Sequence, residues 1–110
     1  MITEFNIKDD MPTVEIALKR LDMLLTGNRK GIIKIIHGYG ATGVGGKIRT
    51  AVRNKLKIKK LAGKIKDYIP GEEFSMFNAA TQTALMLYHR ELTSDHDYNQ
   101  SNQGMTLIIF

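Results

Sequence analysis

The chain has 110 residues, the length of one domain with one core, and its hydrophobic fraction of 43% and charged fraction of 25% are those of an ordinary globular protein. It has no cysteine, which excludes a disulfide framework, a thiolate metal site and a cysteine nucleophile, and no apolar run near the roughly 18 residues of a membrane span. Its net charge of +5 is segregated: residues 23–66 carry twelve of the sixteen bases and no acid, whereas residues 67–110 carry six acids and one base.

From the N-terminus, "EFNI" alternates weakly and predicts a short strand with Phe5 and Ile7 on one side. "DDMPTVEIALKRLDMLLTG" carries helix signals, with Pro12 at or near the first turn, Glu15 early and Gly27 just past the end. Val14, Leu18, Leu21 and Leu25 form its buried stripe. In "GIIKIIHG", Ile32, Ile33, Ile35 and Ile36 occupy both faces of a strand, which predicts an interior strand covered by helices on each side. Residues 46–56 read as a second helix with Ile48, Val52 and Leu56 inward. Arg49, Arg53 and Lys57 form a parallel row about 100° round the axis, expected to be exposed. "LAGKIKDYI" is then a third strand, and "SMFNAATQTALMLYHREL" a third helix with Phe77, Leu85 and Tyr88 among its apolar positions. Residues 93–104 are a polar loop, and "GMTLIIF" is a closing strand. This β-α-β-α-β-α-β order implies an α/β domain over residues 1–110. A small mixed four-stranded sheet is expected, with helices packed on it and parallel pairing through crossovers.

Between the second strand and second helix lies "IHGYGATGVGGKIR", with five glycines in residues 38–46. A glycine-rich turn there either aims backbone N–H groups at an anion or serves strand-to-helix packing, with His37 closing the strand. Gly38, Gly40 and Gly43 meet the G-x-G-x-x-G spacing, but the acid expected about 20 residues on is absent. A Walker A loop fails because Ile48 follows Lys47, leaving no hydroxyl for magnesium.

"IIKIIHGYG" followed by "GGKIRTAVRNKL" resembles the second motif of the Smr (small MutS-related) domain, the small domain at the C-terminus of some MutS-like proteins that also occurs free-standing. "MPTVEIALKRLDMLL" resembles that family's first helix, and "NQGMTLIIF" its last strand. The resemblance implies a two-layer α/β sandwich and nucleic-acid work, as a nicking or RNA-cleaving endonuclease or as a binding module. It places His37, Gly38 and Gly40 near the active site and makes Arg49 the arginine that opens the second helix. The family's first motif, Leu-Asp-Leu-His-Gly, is degenerate here. "FNIKDDMPT" puts either Asn6 and Lys8 or Lys8 and Asp10 at the positions of its acid and histidine, and neither register restores that pair.

A block of positive charge has phosphate backbones as its commonest target, the alternative being a surface kept for solubility. Three readings follow. The first is a nucleic-acid-binding module for RNA or DNA, with Gly38, Tyr39, Gly40, Gly43, Lys47, Arg49, Arg53 and Lys57 as contacts and without efficient catalysis. The second is an endonuclease with His37 as general acid or base, the one reading that brings in a magnesium or manganese ion. Under it, Asp9 and Asp10 hold a metal or orient His37, or else simply precede the helix as cap and dipole partner. The third is a protein-interaction domain. Tyr39 either stacks on a base or covers its own loop. His89 reads as a surface residue and His96, between Asp95 and Asp97, as part of a solvated loop. With no secretory leader at the N-terminus, a cytoplasmic protein without membrane contact is expected.

Overall fold

In a computed structural model, described for residues 2–10, 12–27, 29–38 and 44–110, the order is β1 (Thr3–Asn6), α1 (Val14–Leu25), β2 (Ile32–Ile36), α2 (Val44–Leu61), β3 (Asp67–Pro70), a 3-10 turn (Gly71–Glu73), α3 (Ala79–Thr93) and β4 (Met105–Ile109). The four strands form one sheet in the order β1-β2-β4-β3. Only β1 and β2 are parallel neighbours, because β4 inserts antiparallel between β2 and β3. The sheet is therefore mixed, as expected, with parallel neighbour pairing confined to its first crossover.

Both faces of the sheet are covered. Ala17 and Leu21 of α1 and Ile48, Val52 and Leu56 of α2 close over Ile33, Ile35 and Ile108. Ala84 and Leu92 of α3 meet Ile32, Ile69, Leu107 and Ile109 on the other side. The layers thus number three rather than two, the outcome that isoleucines on both faces of β2 demand. No helix among the described residues is long and apolar enough to cross a membrane.

Local chemistry sets the element ends. Thr13 caps α1, its Oγ1 accepting from the Ile16 N–H at 3.3 Å, which puts Pro12 directly ahead of the first turn. The α2 helix runs through to Leu61, so the third strand is confined to Asp67–Pro70. Asn78 caps α3, its Oδ1 accepting from Thr81 N at 2.9 Å. Phe77 consequently lies ahead of the helix and is 86% exposed instead of joining its apolar stripe. Tyr88 sits at a kink (φ −136°, ψ 43°) inside α3.

One interior group was not anticipated. Lys34, at the centre of β2, is 1% exposed, and its Nζ donates to Asp95 Oδ1 and Asp97 Oδ2 at 2.6 Å each. Asp97 Oδ1 also accepts from Asn102 Nδ2 at 2.9 Å. Burial pulls the Lys34 pKa down, but the two carboxylates outweigh it and the net direction is up. For Asp97, burial pushes up and the bonds from Lys34 and Asn102 carry it below its ordinary value. A raised lysine contributes stability below its ordinary 10.5 that is lost as pH climbs through the raised value. A depressed aspartate contributes above its ordinary 3.8 and loses that as acid drives through the lower value. Between those limits the pairing is complete. Lys34→Met is expected to cost about 3–5 kcal/mol in urea unfolding at neutral pH, because it strands the buried Asp97 and the partly buried Asp95. Adding Asp95→Asn and Asp97→Asn should restore a large part of that loss, and an unchanged midpoint in the single variant would contradict the assignment.

Candidate nucleic-acid interface

Parallel pairing brings the C-terminal ends of β1 and β2 side by side, Asn6 opposite Ile36. The chain leaves β1 through Ile7, whose N–H donates to Ile36 O at 3.1 Å. Arg20 of α1 holds the connection by donating Nη1 to Ile7 O and Asp9 O at 3.0 and 2.8 Å. Lys8 then lies against the turn after β2. A Cβ added to Gly38 would meet its Cδ at 3.2 Å, and Gly38 has φ +76°, so a side chain there is both crowded and strained.

His37 is completely buried. Its Nδ1 lies 2.6 Å from Gly38 O, and since a carbonyl can only accept, Nδ1 carries the proton. In the neutral ring Nε2 is then the acceptor, and it receives the Thr106 hydroxyl at 2.8 Å. That hydroxyl in turn accepts from Arg53 Nε at 3.2 Å. The Arg53 fork closes on Glu72, Nη1 to Oε2 at 2.7 Å and Nη2 to Oε1 at 2.6 Å. Glu72, Arg53, Thr106, His37 and the Gly38 carbonyl thus form one chain of bonds with each donor and acceptor in an unambiguous role.

The same chain explains the titration behaviour. Burial is the main cause that lowers the His37 pKa to about 4, with the Gly38 bond opposing and the positive charges of Arg53 and Arg49 adding to the depression. Burial pushes Glu72 up, but the Arg53 fork overrules it and the net direction is down.

Several expected site residues take other places. Arg53 is not on an exposed row; its side chain is 18% exposed and committed to Glu72. The Gly38 and His37 N–H groups both donate to Gly104 O at 3.0 Å, so neither is directed at an anion. Asp9 and Asp10 are exposed, and both ring nitrogens of His37 are bonded elsewhere. Tyr39, Gly40 and Gly43 lie outside the described residues. Asp95, His96 and Asp97 come close enough together to share an ion, but the Lys34 ammonium already neutralises the two carboxylates.

Of the twelve bases in residues 23–66, Lys34, Arg53, Lys55 and Lys60 pair with acids outside that segment: Asp95 and Asp97, Glu72, Asp22, and Asp67. What remains on α2 is Lys47 and Lys57, both exposed, Lys59, and Arg49, half-exposed with Nη1 donating to Gln103 Oε1 at 3.1 Å. None of these four has an acid of the described residues within ion-pair distance. Near Lys47 the outer face of α2 is shallowly concave, with Gly46, Thr50, Ala51 and Asn54 lining a depression of about 470 Å³. These positions recur at helical steps of three and four and form a single stripe. No family model, no curated protein and no solved structure matches the chain.

Glu72 and Thr106 escaped the sequence reading altogether. The only trace of Glu72 was an acid pair directly after a strand-ending proline, a pattern without chemical specificity.

The depressed His37 pKa has a sign that can be checked. Between its folded value of about 4 and its ordinary 6.5 the unfolded chain binds a proton that the folded chain does not. Stability contributed by His37 is therefore full above 6.5 and falls as pH drops toward 4, by roughly 3 kcal/mol. A His37→Gln variant should show a correspondingly flatter fall of urea stability over that interval. The His37 imidazole resonances, assigned by their loss in His37→Gln, should titrate near pH 4, and a His37 midpoint near 6.5 would refute the buried neutral ring.

Proposed function

We propose that the protein is a nucleic-acid-binding module of the kind the Smr resemblance implies, holding phosphates around α2 through its unpaired cations Lys47, Arg49 and Lys57. The observation that carries this reading is the surplus of positive charge that survives internal pairing. Lys47 and Lys57 face water and Arg49 is half-exposed along one helix whose eighteen residues include no acid. Three separated cations on a rigid helix suit a run of phosphates, which needs charge at intervals and no sequence-specific contact. Arg53 contributes from behind: its bond to Glu72 and Thr106 ties α2 to the 3-10 turn and to β4, and so fixes where the outer cations stand.

The bonding of His37 favours binding over cleavage by that residue. A general acid or base must reach the proton it transfers, and this ring is buried, neutral and saturated at both nitrogens.

Fluorescence anisotropy of labelled RNA and DNA at two salt concentrations tests the reading. Affinity is expected to fall with salt. The variant Lys47→Glu, Arg49→Glu, Lys57→Glu should bind at least tenfold more weakly, with a log–log salt slope shallower by about 2–3 for three lost phosphate contacts. Arg90→Glu, on the exposed surface of α3, should have little effect. Absence of binding to every strand, or binding indifferent to salt, would overturn the proposal in favour of a protein partner.

A further inference from the structure

The two edges of the sheet differ in their backbone. At the β3 edge, Pro70 has no N–H to offer and the Tyr68 N–H is taken by Asp67 Oδ1 at 2.8 Å, so both groups are withdrawn from further pairing. The opposite edge, β1, has neither a proline nor a side chain bonded to its backbone N–H groups among the described residues. Ile7 N–H turns toward β2, where it donates to Ile36 O. By alternation Phe5 turns the same way, and the N–H and C=O of Glu4 and Asn6 point out of the sheet edge, with no partner among the described residues. Apolar surface adjoins this edge. Ile16 and Met23, seven positions apart on α1, are 45% and 73% exposed. Asp22, which meets Lys55 of α2 at 2.6 Å, stands about 100° round the axis from Met23. Arg20, which reaches Ile7 O and Asp9 O at the end of β1, stands about 60° from Met23 on the other side. Ile16 and Met23 therefore lie on the outer flank of α1, turned away from α2 and toward the open edge.

We propose that β1 pairs with β1 of a second copy of this chain, antiparallel about a two-fold axis at Phe5, so that two four-stranded sheets join into one. Glu4 then faces Asn6 of the second copy, and each such pair exchanges its outward N–H and C=O groups. The side chains suit this register. Asn6 Oδ1 already accepts from Lys8 N at 3.0 Å, so its amide N–H groups are the ones left to donate to the facing carboxylate. On the opposite face, Phe5 meets its own copy at the non-hydrogen-bonded position, where side chains approach most closely. A register centred on Glu4 would instead set two carboxylates against each other. Charge selects the same surface: residues 1–22 hold five acids and three bases, so copies meeting here keep their basic segments apart. The helices agree with the strands. Strands lie about 4.8 Å apart and packed helices about 8–10 Å, so one helix covers two strands. As the crossover from β1 to β2, α1 of each copy comes to ordinary packing distance of the other, with Ile16 and Met23 at the seam. The pairing does not depend on what α2 binds, and it sets both α2 helices on one face of the joined sheet.

Sedimentation velocity of the full chain over a wide range of protein concentration tests the pairing, with the mass expected to rise from one chain to two. Asn6→Asp keeps the acceptor for Lys8 but opposes two carboxylates at each Glu4 position, and should weaken the dimer roughly tenfold for two like-charge pairs. Adding Glu4→Lys to that variant should restore it. Met23→Glu, at an exposed position, should weaken the dimer as well, and each variant should keep the wild-type urea midpoint. A wild type that stays monomeric throughout would overturn the proposal. So would a dimer indifferent to Asn6→Asp, whether or not Met23→Glu weakens it, because the contact would then not run through paired β1 strands. Failure of Glu4→Lys to rescue Asn6→Asp would overturn the register centred on Phe5.

Discussion

A lysine in the middle of an apolar strand dictates the course of much of the rest of the chain. Lys34 is flanked by isoleucines that must be buried, so its ammonium is carried inside with them and has to find anions there. The anions come from the connection between α3 and β4, at Asp95 and Asp97. That connection is thereby drawn across the sheet before it turns into β4. Asn102 bonds Asp97, and its carbonyl passes so close to Gly71 that a Cβ there would lie 1.8 Å away. Gln103 then reaches Arg49, Gly104 accepts from His37 and Gly38, and Thr106 completes the bond chain to His37 and Arg53. The polar architecture around the end of β2 is assembled by one segment whose path a buried charge determines.

Charge segregation along the chain has a structural use that its appearance hides. A basic middle between acidic flanks looks like a surface made for phosphates. Yet four of the middle segment's twelve bases are matched to acids of the flanks, and three of those pairings (Lys34, Arg53 and Lys60) join the middle to residues beyond position 66. Part of the segregation therefore serves to bring distant parts of one chain together, and only the remainder faces outward. Of the paired cations, Lys34 and Arg53 are among the least exposed, where an ion pair is screened least. The outward ones are mostly long lysines in water, and their charge is left to act on whatever approaches the surface.

What the sequence made legible follows from the range of the interactions involved. Apolar periodicity is local, and it located β2, the inward Ile48, Val52 and Leu56, and the closing strand. Caps are local too: the Asn78 side chain reaches only to Thr81, and reading it as a cap would have moved Phe77 out of the helix. Arg53 and Glu72 are 19 positions apart, and Lys34 is 61 and 63 positions from its two partners. No spacing rule links such residues, because their proximity is a product of the whole topology. The row of Arg49, Arg53 and Lys57 was rightly placed on one helix, but Arg53 turns to an acid that helical periodicity cannot see.

The histidine-glycine element shows how one motif can serve packing through both nitrogens of a single ring. His37 uses one nitrogen to fix the carbonyl of a glycine in a left-handed turn and the other to receive a hydroxyl from β4. A neutral imidazole, with one donor and one acceptor pointing in opposite directions, fits between those two groups; a charged one would set two donors against a hydroxyl already accepting from Arg53. The ring therefore gains its place by staying neutral, and neutrality is maintained by burial and by the two arginines nearby. Those arginines belong to the helix whose outer cations face water, so the positive charge of α2 also helps to hold the proton off the ring inside.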